Sequence, residues 1–143
     1  MKKKNSNPSI ALNSDLISKV ISELGNDNFP FILNLINDLH PADTADLLET
    51  LNSDDRKKVI NIVKEKFPSE TLPSMNVPIL LDVIEEFDFN HLVRMLAELD
   101  TDDIAYVLEI CEESLRKEVL RKLPKELQKL IKKALTYDED SAG

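Results

Sequence analysis

Read from Leu39, the chain runs LHPADTADLLE; read from Leu99, it runs LDTDDIAYVLE. Leu39, Asp43, Ala45, Leu48 and Glu49 recur as Leu99, Asp103, Ala105, Leu108 and Glu109. The same offset of 60 pairs Arg56, Lys57 and Val59 with Arg116, Lys117 and Val119. Eight identities under one constant offset are hard to reach by chance. Phe87 to Leu96 shows the same helix-break-helix length at about half that offset. A repeat of roughly 30 residues holds a pair of short helices that cannot bury its apolar face alone, so neighbouring repeats must stack. The expectation is an all-α chain, a superhelix of short stacked helix pairs of the armadillo or HEAT type.

Local patterning points the same way. Leu12, Leu16, Val20 and Leu24 recur every fourth residue, with Ile17 and Ile21 widening the stripe. That spacing predicts an amphipathic helix from Ile10 to Leu24, closed by Gly25 as its C-cap. A second helix is predicted from Pro30 to Leu39. Pro41 pushes His40 out of the helical region and opens the next helix at its first turn, where no amide donor is needed. Asn52-Ser53-Asp54-Asp55 supplies a cap and early negative charge for a helix through Val63. Three prolines between 68 and 78 leave room for at most one short helix before Asn76. Short helices separated by a few polar residues then continue to about Leu135. No stretch alternates long enough for a strand, and only 2 glycines argue against the tight turns of a β-sandwich. With aromatics at 5% and no Trp, the core must be aliphatic. Residues 1–9 are expected to be disordered and 10–135 to form the helical domain.

A net charge of −9 disfavours nucleic acid, whose affinity rests on Lys and Arg neutralising phosphates. An acidic surface suits cations or basic partners, or serves solubility alone. Cys111 is the only cysteine, so no intrachain disulfide forms and a reducing compartment is the simplest inference. No apolar run approaches the roughly 18 residues that a membrane span needs. Lys2-Lys3-Lys4 lacks the apolar segment of a signal peptide and reads as a solvated, frayed terminus. Either of the two histidines, His40 and His91, could join an Asp or Cys111 in a dyad, yet helix-boundary polar roles are far commoner. There is no phosphate-cradling glycine loop, no HExxH and no Cys/His zinc spacing. The chain reads as a non-enzyme.

Its carboxylates are more informative. Asp100, Asp102 and Asp103 crowd one predicted helix start, with Glu98 just before. On one reading, Asp102 or Asp103 accepts the free amides and complements the helix dipole. On the other, the mutual repulsion of the three acids is relieved by a divalent cation. Hard oxygen ligands with room for waters suit Mg²⁺ or Ca²⁺ rather than zinc. Magnesium keeps several waters and takes one or two carboxylates directly, so one face could provide half a site and leave the rest to a partner.

The first repeat, its counterpart at Leu99–Glu109, Leu123-Pro124 and above all the closing Tyr137-Asp-Glu-Asp-Ser-Ala-Gly143 resemble the cytosolic N-terminal domain of the MgtE family of magnesium transporters and channels. The resemblance covers roughly residues 30–143. It implies a superhelix of short helices that senses Mg²⁺ on the cytoplasmic side of the cell membrane. In that family the closing segment joins the N domain to a pair of CBS domains, which lead to the pore. Residues 136–143 are therefore expected to begin the linker to CBS domains of the same polypeptide, in a full-length homodimer. The chain itself is expected to be soluble, without membrane insertion or a nucleic-acid partner. Mg²⁺, bound weakly and shared with the CBS domains, would hold the assembly compact and the pore shut. Carried over by position, the metal-ligating residues implied are Asp102, Glu70 in Phe67-Pro-Ser-Glu70, and Asp103. The chain departs from the family at Tyr106, one turn beyond Asp102, where relatives often carry another acid and the first repeat keeps Asp46. The competing expectation is a helical-repeat scaffold resembling the middle domain of flagellar motor switch proteins, which docks proteins and has no ion role.

Overall fold

The starts of the first six α-helices of this chain are set by side chains that take up a free backbone amide. The computed structural model describes residues 12–142, with side chains as far as Leu135. In α1 (Ser14–Gly25) the cap is Asn13, whose Oδ1 accepts from the Leu16 amide at 2.8 Å. Asn28 opens α2 (Phe29–Asp38), accepting from Phe31 at 3.3 Å. His40 opens α3 (Pro41–Thr50) through Nδ1, 3.0 Å from the Ala42 amide. Asn52 caps α4 (Ser53–Val63) at 2.8 Å. Two 3-10 segments follow, Lys64–Lys66 and Ser69–Ser74, the second enclosing Pro73. Asn76 and Asp88 then serve α5 (Val77–Ile84) and α6 (Phe89–Ala97) in the same way. The chain continues as α7 (Thr101–Ile110), α8 (Glu113–Lys122) and α9 (Lys125–Ala142). Among the described residues there is no strand, so the fold is all-α as expected.

The two ends of α1 correct the sequence reading. The apolar period places the helix start at Ile10, but Asn13 is extended and captures the Leu16 amide, which leaves Leu12 outside the helix. Gly25 is not the cap either; it is the last helical residue. The chain turns at Asp27, with φ 56, where the amides of Asp27 and Asn28 donate to the carbonyls of Leu24 at 3.1 Å and Glu23 at 2.9 Å. That pair of bonds closes a helix through one left-handed residue, a place usually held by glycine and tolerated by Asp. The disorder expected for residues 1–9 lies outside the described residues. The backbone of 136–142 continues α9.

The chain divides into two compact units, residues 1–79 and 80–143, with the division inside α5. In the first unit α1, α2 and α4 pack on one another and α3 packs on Ser69–Ser74. In the second, α7 packs on α9 and α6 on α8.

Within the units, the repeated residues sort by role. Ala45, Leu48 and Val59 are buried, and so are Ala105, Leu108 and Val119. Each copy of the arginine closes the helix before it. Arg56 is buried, with Nε donating to the Leu48 carbonyl at 2.9 Å and Nη2 to that of Leu51 at 3.0 Å. Arg116 repeats this at Leu108 (2.9 Å) and Cys111 (3.2 Å), with a further bond to the Glu109 carbonyl at 3.4 Å. A cation there satisfies carbonyls that the helix leaves open and complements the negative end of its dipole. Glu49 ties α3 to the start of α5, its Oε2 accepting the Asn76 amide at 2.7 Å. Where the second copy has apolar Ile104, the first has Thr44, whose buried hydroxyl, like that of Thr71, has no hydrogen-bond partner among the described residues. Cys111 is buried; burial pushes its thiol up from the ordinary value, against the opposing pull of the Arg116 charge. A thiol held protonated in this way is a poor nucleophile.

Candidate functional site

The start of α7 differs from those of α1 to α4 and α6. Asp100 stands at its N-cap position, yet its side chain makes no capping bond. Asp102 and Asp103 follow in the first turn, where their charge lies in the field of the helix N-terminus. None of the three carboxylates takes a hydrogen bond or ion pair among the described residues. The capping reading therefore reduces to an interaction with the dipole, and the carboxylate oxygens stay available.

A helix places residues i, i+4 and i+7 on one face, and α7 so aligns Asp102, Tyr106 and Glu109. Packing of α9 on α7 turns that face into the wall of a cleft of about 640 Å³, with Leu130, Lys133 and Ala134 opposite. Asp102 is exposed, and Tyr106, 41% exposed, sits between the two acids. Asp103, one residue further round the helix, is half-buried and does not line the cleft. The structure thus separates Asp102 from Asp103 and brings Asp102 together with Glu109 and Lys133. Sequence reasoning missed Glu109 as a cleft residue; its spacing of seven from Asp102 was the available signal.

Glu70 is exposed in the first turn of the 3-10 segment Ser69–Ser74, in the other unit. Its backbone carbonyl accepts from Ser74 Oγ at 3.3 Å. Among the described residues, no three His, Cys, Asp or Glu side chains gather so as to hold a metal ion. The donors present at the α7 cleft, one or two exposed carboxylates with space for water, fit a hydrated Mg²⁺; the Lys133 ammonium opposes it.

The histidines take structural roles. His40 is the α3 cap, and His91 is buried with its ring edge-on to Phe87, centroids 5.0 Å apart. No helix among the described residues is long and apolar enough to cross a membrane.

Comparison with known proteins places the chain. The family model described as the MgtE intracellular N domain matches residues 39–140. The chain is also similar to a structure described as the crystal structure of the soluble part of a magnesium transporter, with a TM-score of 0.65 and 22% identity. That match covers 86% of this chain and 49% of the other, so the chain spans about half the length of that structure. At this identity the likeness speaks for fold. No curated protein sequence matches the chain.

Proposed function

Because the chain belongs to the family of MgtE intracellular N domains, we propose that it is the regulatory part of a magnesium transporter, sensing Mg²⁺ on the cytoplasmic side of the membrane by docking onto CBS domains of the same polypeptide. The family match over residues 39–140 carries this reading. The exposed carboxylate of Asp102, without a partner among the described residues, supports it. Two negatively charged surfaces repel at close range, and a divalent ion between them reverses the sign of the interaction. Asp102 would supply one direct ligand at the α7 cleft, with Asp103 a neighbouring charge outside its lining and Glu70 at a second contact. Residues 136–143 would begin the linker to the CBS pair.

Each ion stabilises the docked state only by the amount by which it binds that state better than the open one. A half-site with one or two carboxylates binds Mg²⁺ weakly alone and gains affinity when the partner surface completes it. At high Mg²⁺ the docked, closed state is favoured; as Mg²⁺ falls, the surfaces separate and the pore can open. Tyr106 in place of an acid lowers the ligand count at the α7 cleft.

Calorimetric titration of this chain with MgCl₂ tests the shared-site picture. The expected result is weak binding that Asp102→Asn reduces and Tyr106→Asp strengthens. Tight, stoichiometric binding by the chain alone would contradict it, as would indifference to both substitutions. A scaffold without an ion role gives the second outcome.

A further inference from the structure

The charge of this chain is not evenly spread. It is −9 overall, yet residues 113–135 carry eight Lys and Arg against three Glu. Part of that excess lines a groove of about 590 Å³ between α8 and α9, where Arg116, Lys117, Arg121 and Lys132 surround Leu120 and Leu135 and outnumber the carboxylates of Glu109 and Glu113. The volume is that of a small-molecule site.

Comparison of the two repeats separates folding from surplus. Arg56 and Arg116 do the same structural work, but Arg56 is buried whereas Arg116 is half-buried and opens on the groove. Its bonds to the Leu108, Glu109 and Cys111 carbonyls use Nε and Nη2. Both Nη1 donors lack a partner among the described residues, on a guanidinium already fixed in place. Arg121 replaces Asn61 of the first copy. Neither Arg121 nor Lys132 has a hydrogen-bond or ion-pair partner among the described side chains. Lys117 is paired with Glu113 at 3.3 Å, an exposed contact of little strength.

We infer that the α8–α9 groove binds a small phosphate-bearing anion carrying several negative charges. Two guanidinium groups offer the planar, paired donors that phosphate oxygens accept, and the fixed one is already oriented. Lys132 adds a mobile charge from α9. In a chain that otherwise repels anions, a concave site of this sign gathers them. The groove shares only Glu109 with the lining of the Asp102 cleft and needs no divalent ion.

Inorganic triphosphate titrated into the full chain in EDTA is the direct test, and EDTA keeps its outcome independent of the proposed Mg²⁺ site. The expected result is saturable binding at one site per chain, weakened about tenfold or more by Arg121→Gln with Lys132→Gln. Glu113→Gln, which releases Lys117, strengthens it. Lys57→Gln with Lys58→Gln, exposed lysines of the first unit, leaves it unchanged. Circular dichroism checks that each variant keeps its helix content. Absence of saturable binding overturns the inference, and so does an equal loss in the Lys57/Lys58 variant. Flotation with phosphatidylglycerol–phosphatidylcholine vesicles, against phosphatidylcholine alone, identifies the source of the phosphate. Capture by the anionic vesicles that triphosphate displaces supports a lipid headgroup in the groove. Capture that triphosphate does not displace overturns the groove as the binding site.

Discussion

Asp27 holds the left-handed backbone that closes α1, while Gly25, two residues earlier, has an ordinary helical conformation and open space where a Cβ would stand. Glycine in a helix costs roughly 0.5–1 kcal/mol relative to alanine, so Gly25→Ala should stabilise the chain by about that amount. Asp27→Ala should destabilise it by about 1 kcal/mol, since alanine lacks the local polar compensation that lets Asp adopt positive φ. Thermal unfolding followed by circular dichroism measures both, and opposite signs are expected. Sequence pattern located the end of this helix but assigned the closing role to the wrong residue. Periodicity does not resolve a register of two residues, and glycine is the commoner choice. The same limit applies at the cleft. Asp102 was legible from its acidic neighbours, whereas Glu109 became a cleft residue only because α9 packs where it does.

At the scale of elements, the repeat offset was legible because a helix pair that packs against its like must keep the same core positions. Ala45, Leu48, Val59 and their counterparts are those positions. The reason for the shared arginine was not legible, because it lies in carbonyls that no sequence pattern displays. Arg56 crosses from α4 to the end of α3 and is bonded there while buried. Arg56→Met should therefore cost about 2–3 kcal/mol by leaving buried carbonyls without their charged donor. Arg116→Met should cost less, because water reaches the half-buried end of α7 and replaces part of what is lost. Urea unfolding of the two variants gives the comparison; equal losses would place the arginines' contribution elsewhere than in the closed helix ends. The capping side chains of α2, α3 and α4 lay where polar residues precede apolar runs, and those starts came within one residue of their expected places.

For the whole molecule, the function proposed depends on a surface that this chain does not contain. The family is shown by residues 39–140, and the chain spans about half of the magnesium-transporter structure it resembles. Asp102 and Glu70 lie in different units, so their joint action depends on the partner that meets them. The most direct measurement is the distance between a spin label on α7 near Asp102 and a second label on the CBS domains, in the full-length transporter, in EDTA and in saturating Mg²⁺. Docking by shared ions predicts a short distance in Mg²⁺ that lengthens in EDTA, with Asp102→Asn and Glu70→Gln shifting the transition to higher Mg²⁺. The same distance in both conditions would contradict it.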